Sequence, residues 1–171
     1  YRGPEFSALT YVYENTLFGF HRLAINGLNS ESNQPLYNKK KTLALICNGE
    51  IYNYKELISE FSFPVTTDSD CEVILYLYEK VGIKQCLRLL DGVFAFTLVD
   101  IRNKNNPLLF VARDPLGVRP LFEGYSNTDN SVDISSDNDN IDIVCHSSEM
   151  KMMTSLNEKL TQNLEIRPVL P

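Results

Sequence analysis

Residues 93–99 constrain the fold more than any other feature of this sequence. Phe94, Phe96 and Leu98 alternate on one face of a strand, and most of the residues between them are also apolar. A strand that is apolar on both faces must be covered on both faces, so it lies inside a layered structure. The chain is therefore predicted to fold as a mixed α and β domain with this strand in a middle layer.

Apolar periodicity predicts further elements around this segment. Strands are predicted at residues 8–13, 17–23, 42–47, 108–112, 119–125 and 141–145, with 108–112 and 119–125 as partners of 93–99. Helices are predicted at residues 54–61, 73–81, 83–90 and 147–156, with a break at Gly82, and residues 26–38 are predicted to be loop. Since the sequence contains neither a repeat nor a domain boundary, residues 1–171 are predicted to form a single domain.

The charge of the chain is concentrated in one segment. The net charge is −6, and residues 126–142 contain five Asp and no basic residue. Elsewhere 17 acidic residues nearly balance 16 basic ones, so no basic face for nucleic acid is expected. Residues 126–140 are low in complexity and rich in Asp, Asn and Ser, which predicts a solvated acidic loop.

The composition also predicts a cytoplasmic protein that binds neither a membrane nor a metal. No apolar run reaches the roughly 18 residues that a membrane-spanning helix requires, and residues 1–7 do not form a targeting segment. The four cysteines are far apart in the sequence and only two His accompany them, so zinc-ligand spacing is absent. Reduced thiols are expected.

Three polar clusters adjoin apolar segments. Arg22 ends a predicted strand and can pair with the carboxylate of a ligand or of a neighbouring side chain; spacing alone favours the internal ion pair. Asn48 and Gly49 follow a buried strand and offer an amide donor beside an unobstructed backbone N–H. Such donors can converge on an oxyanion, although Asn-Gly is also the commonest tight-turn dipeptide. The carboxylates of residues 68–72 either receive a ligand's ammonium group or cap the next helix.

These clusters belong to a longer series of motifs. In chain order the motifs are residues 2–4 (RGP), 19–23 (GFHRL), 34–37 (QPLY), 48–53 (NGEIYN), 69–74 (SDCEVI), 90–96 (LDGVFAF), 113–122 (RDPLGVRPLF) and 148–151 (SEMK). Their order and spacing, over nearly the whole chain, resemble the class II glutamine amidotransferases. The resemblance is greatest to the asparagine synthetase branch, which NGEIYN in particular separates from the hexosamine and purine amidotransferases.

The resemblance implies an α+β fold of the N-terminal nucleophile hydrolase type, a four-layer α-β-β-α sandwich of two antiparallel sheets. In this family an N-terminal cysteine attacks the carboxamide of glutamine, and ammonia and then glutamate are released. The resemblance implies that Asn48 and the N–H of Gly49 form the oxyanion hole. It further implies that Arg22 binds the α-carboxylate of glutamine and that Asp70, with Glu50 nearby, binds its α-ammonium. No cofactor is implied for this domain, since ATP and Mg²⁺ belong to a C-terminal ATP-pyrophosphatase synthetase domain.

The sequence departs from the family at both ends. The family begins with Met-Cys-Gly well before the RGP motif, which here occupies residues 2–4, so the nucleophile and the first strand and helix are expected to be missing. The glycine-rich phosphate loop of the synthetase domain is also absent. The 171 residues alone are therefore expected to be inactive. Cys47 adjoins Asn48, but its apolar strand predicts a buried structural thiol.

Alternative functions remain open at this stage. The chain is either part of an enzyme that supplies ammonia for the ATP-dependent amidation of aspartate, or a non-catalytic glutamine-binding or scaffold module that has lost its cysteine. A third possibility is an amidotransferase that acts on a different acceptor. Arg113 and Asp114 resemble a family motif near the surface toward the synthetase half, and they are expected to form an internal ion pair.

Overall fold

A computed structural model describes residues 3, 5–23, 29–126, 143–160 and 163–170. Within them the strands are β1 (Phe6–Tyr13), β2 (Thr16–Arg22), β3 (Leu36–Tyr37), β4 (Leu43–Ile51), β5 (Gly92–Asp100), β6 (Leu108–Arg113), β7 (Phe122–Ser126), β8 (Val144–Ser147) and β9 (Leu164–Pro168). The helices are α1 (Tyr54–Phe61), α2 (Val73–Leu89) and α3 (Met150–Asn157), and single 3-10 turns lie at Ser30–Ser32 and Asp70–Glu72. No helix in these ranges is both long and apolar enough to cross a membrane.

The central antiparallel sheet has the strand order β3-β4-β5-β6. On one face of β5, Phe94, Phe96 and Leu98 are buried in a cluster with residues of α1 and α2. On the other face, Val99 is buried in a second cluster. The prediction that residues 93–99 form a strand covered on both faces is therefore confirmed.

Helix α2 supplies most of the helical side of the core. Val73, Ile74 and Leu77 of the predicted apolar stripe are fully buried, and α1 adds the buried Leu57. Leu75 and Tyr76, which lie off that stripe, are buried as well, so the first half of α2 is covered on more than one face. Gly82 has a φ of +76° and is not helical, so it divides α2 into two segments. The predicted break at this glycine is confirmed.

The β1–β2 hairpin covers the opposite face of the central sheet. Phe18 of β2 packs with Ala44 of β4 and Val99 of β5 in the second buried cluster. The helices α1 and α2, the central sheet and the hairpin therefore form three successive layers, α-β-β.

Strand β7 does not pair as predicted. The sequence predicts residues 119–125 as a partner of the central strand, but β7 pairs with β8 and β9 in a separate three-stranded antiparallel sheet. The cause lies just before β7, where the Asp114 carboxylate accepts hydrogen bonds from the N–H groups of Leu116, Val118 and Arg119. These bonds form a turn that directs the chain away from the central sheet.

The last elements differ from the prediction in their limits. Strand β9 is not predicted, and α3, which packs on this sheet through the buried Met153, begins at Met150 rather than at residue 147. The predicted strand at 141–145 corresponds to β8. The predicted acidic loop 126–140 begins at Ser126, the last residue of β7, and residues 127–142 lie outside the described part of the chain.

Candidate active site

Strand β4 continues through the Asn48–Gly49 pair. Asn48 is opposite Ala95 of β5 and Gly49 is opposite Phe94, so the alternative that Asn-Gly forms a tight turn is wrong. Because side chains alternate along a strand, Asn48 lies on the same face of β4 as Ala44, which packs toward the β1–β2 hairpin. The amide therefore lies on the face away from α1 and α2.

The amide nitrogen of Asn48 is a buried donor. Its Nδ2 atom has no hydrogen-bond partner among the described residues. An unpaired buried donor costs about 1–3 kcal/mol, so each one calls for an explanation, and a ligand or catalytic role is one such explanation. The position is suited to receiving the oxygen of a ligand.

Gly49 is required by the close approach of β4 and β5. A Cβ atom at this position would lie 2.2 Å from the carbonyl oxygen of Val93 and 2.6 Å from the Cα of Phe94. Phe94 exchanges both of its backbone hydrogen bonds with Asp114, its N–H reaching the carboxylate and its carbonyl accepting from the Asp114 N–H. Gly49 and Phe94 are therefore a non-hydrogen-bonded pair, and the N–H of Gly49 points away from β5.

The side of β4 away from β5 is held by side chains. The Gln34 amide donates from Nε2 to the carbonyl of Cys47 (2.9 Å) and accepts through Oε1 from the Cys47 N–H (2.6 Å). Asp70, only 4% exposed, accepts through Oδ2 from the N–H of Ile51 at 2.6 Å. Gln34 and Asp70 thus fix β4 on either side of Gly49, which lies between the two bonded residues.

Asp70 is not a helix cap in this structure. Ser69 occupies the N-cap position of the 3-10 turn and makes no side-chain capping bond, and the Asp70 carboxylate reaches β4. The neighbouring Glu72, 1% exposed, accepts hydrogen bonds from the backbone and hydroxyl groups of Thr66 and Thr67. The Glu72 carboxylate therefore anchors the segment that precedes Asp70.

Glu50 is paired within the chain. Its Oε1 lies 3.2 Å from Nη2 of Arg119, and both side chains are about 30% exposed, at 31% and 30%. Arg119 comes from the turn before β7, 69 residues away in the sequence, and its Nε is buried without a partner among the described residues. Arg119 therefore partly balances the negative charge of Glu50. Asp70 is the more deeply buried of the two carboxylates.

Arg22 ends β2 and is 8% exposed. Among its contacts, Nη1 donates to the carbonyl of Asn29 (2.9 Å) and to Oδ1 of Asn33 (2.6 Å), which are neutral oxygens. Gly3 of the RGP motif packs behind it, because a Cβ at Gly3 would lie 2.4 Å from the carbonyl carbon of His21. Residues 2 and 4 of the motif lie outside the described part of the chain.

Hydrogen bonds connect the predicted site residues in two groups. Asn48, Gly49 and Glu50 are consecutive on β4, and Asp70 is bonded to the next residue, Ile51. Arg22 is linked to the segment before Asp70 through Asn29, which donates from Nδ2 to Oδ2 of Asp68 at 2.7 Å. The roles that the resemblance implies for these five residues stay predictions.

Arg113 and Asp114 do not form the predicted internal ion pair, and that prediction is wrong. Arg113 donates to the carbonyl oxygens of Val169, Gly117 and Arg119. Asp114, 1% exposed, instead accepts from backbone N–H groups. Burial raises the pKa of Asp114, but these backbone hydrogen bonds outweigh burial and hold the pKa below its usual value.

The cysteine thiols are free and mostly buried. A hydrogen bond with Cys47, together with burial, raises the pKa of Cys71 well above its usual value. Burial raises the pKa of Cys86 to about 12 and also raises that of Cys145. A high pKa keeps a thiol protonated and poorly nucleophilic at neutral pH.

A cavity of about 350 Å³ lies beside the candidate site but contains none of the predicted site residues. It is lined by Glu31, Pro35, Leu36, Tyr37, Thr66, Thr67 and Glu72. The carboxylate oxygens of Glu72 are already bonded to Thr66 and Thr67. The buried polar atoms around Asn48 are therefore a better indication of a ligand site than this cavity.

Comparison with known proteins places these features in a family. A family described as a glutamine amidotransferase domain matches residues 1–169. The asparagine synthetase [glutamine-hydrolyzing] of Homo sapiens is 40% identical over 178 residues, covering 100% of this chain and 28% of that protein. Asparagine synthetase [glutamine-hydrolyzing] 3 of Arabidopsis thaliana is 45% identical over 126 residues, covering 73% of this chain and 21% of that protein. The chain thus spans less than a third of the length of these relatives.

A solved structure supports the same assignment. Glutamine phosphoribosylpyrophosphate amidotransferase from B. subtilis, complexed with ADP and GMP, superposes with a TM-score of 0.61 and 26% identity. The match covers 91% of this chain and 31% of that one. This similarity confirms the predicted α+β fold of the N-terminal nucleophile hydrolase type. Since the family match extends over nearly every residue, the chain belongs to the glutamine amidotransferase domain family.

Proposed function

We propose that this chain binds glutamine and carries the substrate pocket and oxyanion hole of a glutaminase, which hydrolyses glutamine to glutamate and ammonia. The proposal extends to this chain the activity that the names of its relatives give for those proteins. The observation that carries it is the buried Nδ2 atom of Asn48, which has no partner among the described residues.

The charges of the candidate site residues suit an amino-acid ligand. Glutamine is a zwitterion, so a selective pocket needs one fixed cation and one fixed anion. Arg22 and Asp70 are 8% and 4% exposed, and burial strengthens the interaction of each with a ligand charge. In the proposed complex Arg22 binds the α-carboxylate, and Asp70, with Glu50 nearby, binds the α-ammonium.

The proposed chemistry is acyl transfer through a thioester. A cysteine thiolate bonds to the carboxamide carbon of glutamine, and the carbonyl electron pair moves onto oxygen. The Nδ2 of Asn48 and the N–H of Gly49 stabilise that oxyanion. The carbon–nitrogen bond then breaks, ammonia leaves with a proton carried by the α-amine of the cysteine, and water cleaves the thioester to give glutamate. Donors of this kind typically accelerate the reaction by about 10²–10³-fold each.

The proposal assigns the attack to an N-terminal cysteine of the class II type. The raised pKa values of Cys71, Cys86 and Cys145 argue against each of these thiols as the nucleophile. Cys47 lies on the opposite face of β4 from Asn48, within the apolar core.

The fate of the ammonia is a further part of the proposal. Because the relatives carry the name asparagine synthetase, we propose that ammonia is used to amidate aspartate in a synthetase domain of the same polypeptide. That domain would bind ATP and Mg²⁺, whereas glutamine hydrolysis in this domain requires no cofactor. A cytoplasmic location stays a prediction.

A glutamine-binding or scaffold module without catalysis is the second candidate. Such a module would need Arg22 and Asp70, but it gains little from a donor placed to stabilise an oxyanion. The buried and unpaired Asn48 amide therefore benefits a catalyst more than a pure binder, because an oxyanion accepts a stronger hydrogen bond than a neutral carboxamide oxygen does. This observation favours the enzyme.

Replacement of Arg22 tests the proposal in the full-length natural polypeptide. The wild type is expected to release glutamate and ammonia from glutamine in equal amounts. Arg22→Ala is expected to raise KM for glutamine by about 30-fold or more, because loss of a buried charge partner typically costs 2–5 kcal/mol. Arg88→Ala, at an exposed position late in α2, is the matched control and should leave KM unchanged.

The outcomes separate the two candidates. Glutamine binding by calorimetry without glutamate release would favour the non-catalytic module. An unchanged KM in Arg22→Ala would contradict the proposed pocket.

A further inference from the structure

A short segment, residues 29–33, joins the two charged ends of the proposed pocket. Its centre is the 3-10 turn Ser30–Ser32, and Asn29 is the N-cap of that turn. The Oδ1 of Asn29 accepts hydrogen bonds from the backbone N–H of Ser32 (3.2 Å) and from its hydroxyl (2.6 Å). The other half of the same amide, Nδ2, donates to Oδ2 of Asp68 at 2.7 Å. Asn29 therefore uses one amide to hold its own turn and to bind the segment that leads into Asp70.

The same segment orients Arg22. Nη1 of Arg22 donates to one acceptor at each end of the segment. These acceptors are the carbonyl of Asn29 at 2.9 Å and Oδ1 of Asn33 at 2.6 Å. Each terminal nitrogen of a guanidinium group carries two hydrogens, so these two bonds use both hydrogens of Nη1. These two bonds hold Arg22 against the segment whose Asn29 also contacts Asp68.

We propose that residues 29–33 are a positioning element of the glutamine pocket, in which Asn29 sets the separation between Arg22 and the segment of Asp68 and Asp70. The inference rests on the proposed function. Glutamine carries its α-carboxylate and α-ammonium on one carbon, so the two protein charges must be held at a fixed spacing. A small displacement of either charge weakens binding of the whole zwitterion.

The contact is suited to positioning rather than to stabilising the fold. Asn29 and Asp68 are both exposed, and exposed hydrogen bonds contribute little to stability because water replaces them. Removing the bond should therefore leave the melting temperature nearly unchanged. The effect should appear in the affinity for glutamine.

The decisive substitution is Asn29→Asp in the full-length natural polypeptide. It keeps the shape of the side chain and the Oδ1 acceptor for Ser32, but it replaces the donor to Asp68 with a second carboxylate oxygen. We expect KM and Kd for glutamine to rise about 5- to 10-fold, with kcat within about twofold. The reason is that a changed spacing of Arg22 and Asp70 weakens binding of the substrate and of the transition state equally. The melting temperature should stay within about 2 °C of the wild type.

An exchange of the two side chains is the rescue. The double variant Asn29→Asp with Asp68→Asn reverses donor and acceptor, restores the hydrogen bond and keeps the net charge of the wild type. Its KM should return to within about twofold of the wild-type value. Asn103→Asp adds the same charge at an exposed asparagine between β5 and β6 and is the matched control, expected to leave KM unchanged.

Each outcome decides the inference. A higher KM in Asn29→Asp with recovery in the exchanged pair supports it. An unchanged KM, or a loss that the exchange does not recover, overturns it while the proposed function stands. If the wild type neither hydrolyses glutamine nor binds it by calorimetry, the proposed function fails and the inference fails with it.

Discussion

Asn48 and Gly49 are adjacent on β4, yet each is required for a different physical reason. Asn48 has a buried amide donor without a partner in the described part of the chain, which is unfavourable for folding unless a ligand uses it. Gly49 is needed for space, because its Cα faces the backbone of β5 where a Cβ cannot fit. In the proposed site Asn48 supplies the hydrogen-bond donor, and Gly49 keeps β4 close to β5.

Gly49→Ala tests the requirement for space. The added methyl group would lie 2.2 Å from the Val93 carbonyl oxygen, so β4 and β5 must separate. We expect the free energy of unfolding to fall by about 1–3 kcal/mol, measured as a lower melting temperature, together with slower glutamine hydrolysis. Gly19→Ala is the control, because its Cβ would meet only a side-chain atom of Leu9 at 3.6 Å. Equal stability in the two variants would show that the strands tolerate the methyl group.

At the scale of single residues, the candidate site residues could be predicted from the sequence, but the contacts that position them could not. Arg22, Asn48 and Asp70 stand at the ends of apolar segments, where their polarity is conspicuous. Gln34 and Arg119 lie within the quoted motifs, but their contacts could not be predicted, because each acts through a distant partner. Gln34 bonds to Cys47, 13 residues away, and Arg119 pairs with a residue 69 positions away. Neither pairing follows from a local pattern.

At the scale of elements, the turn that follows β6 is organised by one carboxylate. Asp114 accepts hydrogen bonds from Phe94 of β5 and from three N–H groups within residues 116–119. The turn carries Arg119, which pairs with Glu50 on β4. The carboxylate therefore connects the geometry of β5 with a residue beside the candidate site.

Asp114→Asn tests this arrangement through its dependence on pH. Each carboxylate oxygen of Asp114 accepts hydrogen bonds from backbone N–H groups. The NH2 group of an asparagine would instead face other donors, so we expect the free energy of unfolding to fall by about 1–3 kcal/mol at pH 7. The pKa of Asp114 is lowered in the folded state, so its stabilisation is fully present above the usual pKa of 3.8 and is lost as pH falls through the folded value. The difference in stability between wild type and variant should therefore shrink below about pH 4. Unfolding measured from pH 7 to pH 2 provides the check, and a constant difference would contradict the assigned role.

The elements with strong periodicity were predictable, and those that depend on a distant turn were not. The buried stripe of α2, its break at Gly82 and the doubly covered β5 all follow from local patterns. The pairing of β7 does not, because alternation of side chains identifies a strand but not its partner. Strand β9 has a weak pattern, with Glu165, Arg167 and Pro168 among its five residues.

At the scale of the whole molecule, the layers determine which face of β4 becomes the candidate site. Leu45 and Cys47 face α1 and α2 in the apolar core, so the alternate residues Asn48 and Glu50 lie on the face toward the hairpin layer. The layered character was predictable from the apolar residues on both faces of β5. The division of the described strands into sheets of two, four and three was not, because it depends on where the chain turns.

The measurement that tests the central claim most directly is the kcat of glutamine hydrolysis for Asn48→Ala in the full-length natural polypeptide. If the Asn48 amide stabilises the oxyanion, kcat should fall by about 10²–10³-fold with little change in KM. The melting temperature should change little, because the removed donor has no hydrogen-bond partner among the described residues. A kcat equal to that of the wild type would contradict the assignment of Asn48, and with it the proposed glutaminase site.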